Sequence, residues 1–466
     1  MLNYLPKYIS LRAIAVYIVG LAVVSVIFMS RVMAWYWFIF GLVSVLCFFH
    51  FSNVLTKKWA NTSERILLIK LFLTALVVRI IWVIFSDWFY IYMTGLPFEY
   101  GAQDSLFYDA IARDLATRGF AHYESVMQGL SPSDRGYPTY LGIVYMLSGK
   151  SILVARLIKA LISAFTCVLI YKLAKRNFGG SIGCIAGIFS MLMPNLIYYC
   201  GLHLKETEMV FLTVAFVERA DYVLRSKKYN LFNIIIPALL ASSMFFFRTV
   251  LGAVAIGALG GTIVFSDSKQ VGWGRRIMLG ICLIAVIGYF LGNRVTIEVQ
   301  TVWEASGESQ QRSLEYRTER QGGNKFAKYA GTAVFAPMIF IMPYPTMINI
   351  EDQENQQLMN GSNFVKNITA FFTMLGVFVL FYRKKWKKHM LILSFLIGYL
   401  AVIALSPFAH SDRFHMPCLP FALIIAAYGL SQMDNKKKIY YNVYLVIIFI
   451  AIIVWNWFKL AGRGLY

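Results

Sequence analysis

Apolar runs of about twenty residues recur along the whole 466-residue chain, separated by short segments rich in Lys and Arg. A helix rises 1.5 Å per residue, so a run of about twenty crosses the roughly 30 Å hydrocarbon core of a bilayer. In that medium the backbone must satisfy its own hydrogen bonds, which leaves helices or a closed barrel. The runs are too long and too evenly apolar for barrel strands, whose lipid-facing and lumen-facing residues alternate. Composition agrees: 59% of residues are hydrophobic and 14% charged, against roughly 45–50% and about 25% in soluble domains. The expected fold class is therefore all-α, a polytopic transmembrane helix bundle of about thirteen spans.

The net charge of +21 raises the question of nucleic acid. The basic residues, however, cluster in short loops between apolar runs, where the positive-inside rule accounts for them, so no nucleic-acid partner is expected. Lys57, Lys58 and Arg65, then Lys172, Lys175 and Arg176, then Arg225, Lys227 and Lys228, then Lys269, Arg275 and Arg276, then residues 383–388, then Lys436, Lys437 and Lys438 mark alternate loops as cytoplasmic. Every cluster agrees with one topology. The six cysteines lie in or at the edges of apolar runs without metal-ligand spacing and read as small hydrophobes. The run from Ile9 to Ser30 is too long for a signal-peptide core and reads as the first span.

Three regions follow: an N-terminal transmembrane hairpin and cytoplasmic loop at 1–65, a core at 66–435 with external loops 94–152 and 293–363, and a C-terminal span at 436–466. Two short apolar stretches, Thr139 to Ser148 and Ala330 to Met342, are too short to cross and read as external juxtamembrane helices, the first started by Pro138. Within the third run, Arg79 and Asp87 are ionisable at membrane depth; such groups face a bundle interior or a polar cavity.

The polar segment after the third run, Glu99 to Gly119, carries Asp104, Tyr108 and Ala112 at i, i+4 and i+8, which a helix places on one face. Two roles are open to Asp104. It either caps that helix, since Asp is a favoured N-cap, or serves as a chemical carboxylate at the membrane surface. The topology gathers Asp104, Arg135, His203, Lys205, Glu206, Arg248, His410, Arg413 and His415 on one membrane face. Carboxylates beside cations suit group transfer from a phosphorylated lipid: the carboxylate deprotonates an acceptor hydroxyl while cations stabilise the departing phosphate. Taken singly, interfacial cations more often snorkel to lipid headgroups. The three external histidines, with Asp104 or Glu206, offer donors for a divalent metal, but their scatter assigns no ligand set. Gly-rich phosphate loops, Ser-centred elbows and paired Cys ligands are absent from the sequence.

These features together resemble the GT-C superfamily of membrane glycosyltransferases, which includes lipid A aminoarabinose transferases and protein O-mannosyltransferases. Asp104, Tyr108 and Ala112 follow an outgoing helix containing Arg79; Arg135-Gly-Tyr-Pro138 lies in the same loop; Tyr171-Lys-Leu-Ala-Lys-Arg-Asn-Phe-Gly179 closes the next span. Pro194 with Leu204-Lys-Glu206, then Asp412-Arg413 with Pro417 and Pro420, extend the likeness over residues 66–435. Gln103 precedes Asp104, where many relatives carry adjacent acidic residues.

The resemblance implies catalytic roles for Asp104, as base, and for Glu206, the second acidic residue, which positions the acceptor or assists the base, and Tyr108, Arg135, His203, Lys205, Arg248 and Arg413 are candidate substrate ligands. It implies a polyprenyl-phosphate-linked sugar as donor, a glycan, lipid or protein acceptor, and an active site facing away from the cytoplasm of a bacterial inner membrane. Two alternatives are a polysaccharide polymerase or ligase, in which the arginines would outweigh Asp104, and a transporter or lipid flippase. The latter should place charge near the midplane and show paired repeats, which the sequence lacks.

Overall fold

The computed structural model describes residues 2–226, 231–266, 332–406 and 408–465, with isolated positions between 272 and 326. Among them the chain is helical, its sole β pairing a single bridge between Val32 and Ile348. Eight helices are long and apolar enough to cross a membrane, nine if the bent pair Gly180–Leu192 and Pro194–Gly201 counts as one span. Two shorter apolar helices, Leu231–Phe247 and Thr249–Phe265, stand where the seventh and eighth runs were expected. The expected ninth run, about 276–292, lies outside the described residues except at isolated positions. The sixth, Glu206–Arg225, is a helix but too rich in charge to meet the apolar criterion.

Helix Glu64–Thr94 shows how the bundle meets lipid. Leu67, Leu71, Ala75, Arg79 and Val83 are buried on one stripe, whereas Ile66, Ile69, Leu73, Val77, Ile81 and Ile84 are exposed on the other. The residues facing out are large and apolar, whereas the buried stripe mixes Leu and Val with Ala75, Ser86 and the charged Arg79, which only the bundle interior can accommodate. Gly95, left-handed at φ 76°, ends the helix.

Arg79 has a structural task. The fifth span bends by 50° between Leu192 and Pro194, because a proline at the start of the second segment brings no N–H to close the preceding turn. The freed carbonyls of Ser190 and Met191 accept from Arg79 at 3.2 and 3.1 Å, and Ser163 Oγ accepts from its Nε at 2.7 Å. The guanidinium thus closes the C-terminal end of the first half-helix, where a cation is favoured. Asp87, nearer the helix end, pairs with Arg156 at 3.0 Å and keeps 21% exposure.

Helices Asn360–Tyr382 and Leu419–Ser431 cross backbone to backbone. A Cβ on Gly429 would lie 1.9 Å from the Phe372 carbonyl oxygen, and one on Gly376 would lie 2.4 Å from that of Ile425. Only glycine fits such a crossing. At the end expected to be cytoplasmic, Lys175 pairs with Glu64 at 2.6 Å, Arg176 with Glu218 and, at 3.2 Å, with Asp221, and Arg225 donates to the Lys388 carbonyl at 2.9 Å. Basic loops far apart in sequence therefore meet at one end of the molecule. Lys228 lies outside the described residues.

One helix start differs from expectation. The first juxtamembrane helix runs Pro132–Ser148, with Pro132 rather than Pro138 in the first turn. Ser131, extended at φ −63° and ψ 149°, precedes it, a geometry into which a first-turn proline fits. Ser133-Asp-Arg-Gly-Tyr-Pro138 is therefore two helical turns and not a loop. The second juxtamembrane stretch contains helix Thr332–Met338.

Candidate functional site

At the end opposite the basic loops, three residues form a bridge. Arg413, in the short helix Asp412–His415, donates from Nε to Glu206 and from Nη1 to Asp104. Asp104 lies in the first turn of helix Gln103–Arg118, whose N-cap is Ala102 with no side-chain cap. The capping role is thereby excluded: the carboxylate turns to Arg413. It is 56% exposed, whereas Glu206 is fully buried.

Glu206 is the first residue of helix Glu206–Arg225, where the free N–H groups and the helix dipole favour a carboxylate. Arg248 Nη2 approaches its Oε1 at 4.0 Å, and Oε2 is buried without a hydrogen-bond partner. Arg248 stands in extended backbone between Leu231–Phe247 and Thr249–Phe265. Its guanidinium lies 4.3 Å over the Phe414 ring, and its Nη1 is buried without a hydrogen bond. Behind Arg413, Asp412 accepts from Asn195 Nδ2 at 3.0 Å and pairs with Lys366 at 3.6 Å.

The loop that delivers Asp104 is fixed by Glu99, which accepts from Ser105 Oγ at 2.6 Å. Burial pushes the Glu99 carboxyl above the usual carboxylate range, opposed by the Ser105 hydrogen bond.

Four further candidate substrate ligands already have partners within the protein. Lys205 is buried and donates to Asp134 at 2.6 Å and to the Ser133 carbonyl at 3.3 Å, so its ammonium is already engaged. Burial would raise the Asp134 carboxyl, but Lys205, Ser131 and Arg248 together bring it below its ordinary value. Tyr108 is buried, with its ring 5.2 Å from that of Tyr137 and 5.7 Å from Lys205 Nζ. His203 is fully buried, Nε2 3.1 Å from Tyr145 OH, which also donates to Asp109. Burial and the charges of Arg156 and Lys159 drive its imidazole far below the ordinary value, so it is neutral. Arg135 turns to Glu124 at 3.2 Å and to the Leu130 carbonyl. Tyr108, Lys205 and His203 thus form the packing behind the bridge, and Arg135 pairs outside it.

No group of three or more His, Cys, Asp or Glu among the described residues could hold a metal ion. His415 is buried and paired through Nε2 with the Ala409 carbonyl at 2.8 Å, so the histidine donor set suggested by topology does not assemble. Sequence reasoning missed Asp134, the partner of Lys205. The signal was there: Pro132 opens the helix, which sets the phase of the two residues that follow Ser133.

Chemically, the bridge offers a partly exposed carboxylate oriented by an arginine that is anchored on a buried second carboxylate. Arg413 spends Nε and Nη1 on the two acids, and Arg248 keeps Nη1 uncommitted beside them. Both guanidinium groups therefore stand beside Glu206, Arg413 bonded to it and Arg248 at 4.0 Å, and guanidinium is the side chain best suited to a planar or tetrahedral oxyanion.

The sequence model of the dolichyl-phosphate-mannose-protein mannosyltransferase family matches residues 137–293. No curated protein matches the sequence significantly. Among solved structures, the archaeal oligosaccharyltransferase AglB of Archaeoglobus fulgidus, in complex with an inhibitory peptide and a dolichol-phosphate, superposes with a TM-score of 0.51 at 12% identity, over 86% of this chain and 56% of that one. The oligosaccharyltransferase of the same organism in complex with zinc and sulfate gives a TM-score of 0.49 at 12% identity, over 84% of this chain and 53% of that one. The chain thus spans little more than half the length of these proteins. The partial family match and the shared helical architecture agree with the motifs of the sequence, and the chain shares its transmembrane helical fold with AglB.

Proposed function

We propose that the protein is a GT-C glycosyltransferase that moves a sugar from a polyprenyl-phosphate carrier to an acceptor on the non-cytoplasmic face of the membrane, by a single inverting displacement. The observation that carries this reading is the Asp104–Arg413–Glu206 bridge. A glycan hydroxyl is a weak nucleophile at neutral pH, and a carboxylate within about 2.6–3.2 Å takes its proton as the new bond forms. Asp104 is the accessible acid and is assigned that part. Arg413, with Arg248, stabilises the negative charge that gathers on the departing lipid phosphate. Glu206, buried and paired with both arginines, holds their forks in place and does not meet the acceptor.

The mannosyltransferase family match and the dolichol-phosphate in the AglB structure support a lipid-phosphate donor. The test is sugar transfer by purified protein in nanodiscs with a polyprenyl-phosphate sugar. Asp104→Asn keeps the size and removes the base, so turnover is expected to fall about 10²–10⁴-fold with donor binding little changed. Near-normal turnover would overturn the assignment.

A further inference from the structure

We propose that Lys159 is a positioning residue for Glu206 and Lys205, acting through the backbone of the loop that carries them; the inference rests on the reading of Glu206 given above. Lys159 belongs to helix Ile152–Phe178 and is fully buried. An ammonium has three donors, and Lys159 spends them on the Leu202 carbonyl at 2.7 Å, the Leu204 carbonyl, and Tyr137 OH at 3.4 Å. Two of its bonds therefore clamp alternate carbonyls of the segment that runs directly into Lys205 and Glu206.

The same segment is also closely packed at Gly201. A Cβ on Gly201 would lie 2.4 Å from Ser86 Oγ and 2.8 Å from Trp82 Nε1, so the loop is pressed against helix Glu64–Thr94. Glu206 is two residues beyond Leu204, at most about 7 Å of chain. A displacement of the clamped carbonyls is passed on to Glu206, and through it to the arginine that orients Asp104.

The charge of Lys159 is matched by Glu208, whose Oε2 lies 3.7 Å from Nζ. Both carboxylate oxygens of Glu208 are buried without a hydrogen bond, so Lys159 supplies the compensation nearest to hand. Loss of the lysine alone would leave that carboxylate buried and unpaired, which is destabilising. The informative variant is therefore Lys159→Met/Glu208→Gln, which removes both charges at similar volume and deletes the carbonyl clamp.

The experiment uses the full-length protein in nanodiscs. The double variant is expected to melt close to the wild type, to show faster amide exchange confined to residues 202–208, and to lose about 10–100-fold in kcat with donor KM changed less than threefold, because small misplacements of positioned groups cost up to about 10²-fold. Lys159→Arg, which can still donate to both carbonyls, is expected to recover most of the turnover. Wild-type kcat and exchange in the double variant would overturn the proposal, as would exchange loosened throughout the bundle with melting and kcat falling together. Amide exchange is read without glycosyl transfer. If Asp104→Asn proves fully active while exchange at 202–208 still rises in the double variant, the chemical reading fails and the clamp stands.

Discussion

Replacing Arg413 by Met removes the centre of the bridge and leaves two carboxylates in different surroundings. Glu206 is fully buried. Removing one partner of such a pair costs about 3–5 kcal/mol, because the other charge stays buried and uncompensated. Arg248, 4.0 Å from Glu206, still offsets part of this, which puts the expected cost near the lower end, about 3 kcal/mol. Asp104 is 56% exposed, and water takes over most of what Arg413 gave it, so its share is below about 1 kcal/mol. The two second-site changes should therefore differ. Arg413→Met/Glu206→Gln, which removes the stranded charge, is expected to regain most of the lost stability, about 2 kcal/mol. Arg413→Met/Asp104→Asn should regain almost none. Reversible SDS titration of the purified protein measures all four unfolding free energies. Equal rescue by the two second-site changes, or a cost below about 1 kcal/mol for Arg413→Met, would refute the view that Glu206 is the anchor and Asp104 the accessible arm.

Two further outcomes can be checked. His203 is held far below its ordinary value of 6.5, so below about pH 6.5 the unfolded chain binds a proton that the folded chain refuses, and stability falls by up to about 1.4 kcal/mol per pH unit; His203→Gln should flatten part of that slope in melting curves recorded between pH 7 and 5. Gly429→Ala forces a methyl group to 1.9 Å from the Phe372 carbonyl oxygen; the crossing must open, at about 1–3 kcal/mol or more, seen as a lowered melting temperature, whereas Gly257→Ala, with nothing within 4 Å of its Cβ, should be nearly silent.

Much of this molecule is legible in one dimension. Run length and charge are properties of the sequence alone, because the bilayer imposes a fixed thickness and a fixed preference for the side of Lys and Arg. The helices at 7–27, 35–58, 64–94, 152–178, 360–382 and 437–461 therefore lie where the apolar runs place them, and the basic loops meet at one end. Asp104, Glu206 and Arg413 could also be picked out, since topology brings their loops to one face and acids are scarce.

The tertiary structure decided which side chains meet. Asp104 and Arg413, 309 positions apart, pair because helix Gln103–Arg118 and the Asp412–His415 turn are packed so that their side chains converge, and no periodicity announces that. Asp134 and Arg135 show the reason at its smallest scale. Neighbours in sequence, they lie about 100° apart around a helix, so Asp134 reaches Lys205 while Arg135 reaches Glu124. Sequence proximity and a shared membrane face placed Arg135 and His203 with Asp104. Helix phase and burial sent Arg135 outward and enclosed His203, because a side chain's direction is fixed by the turn it sits on and by what packs against it.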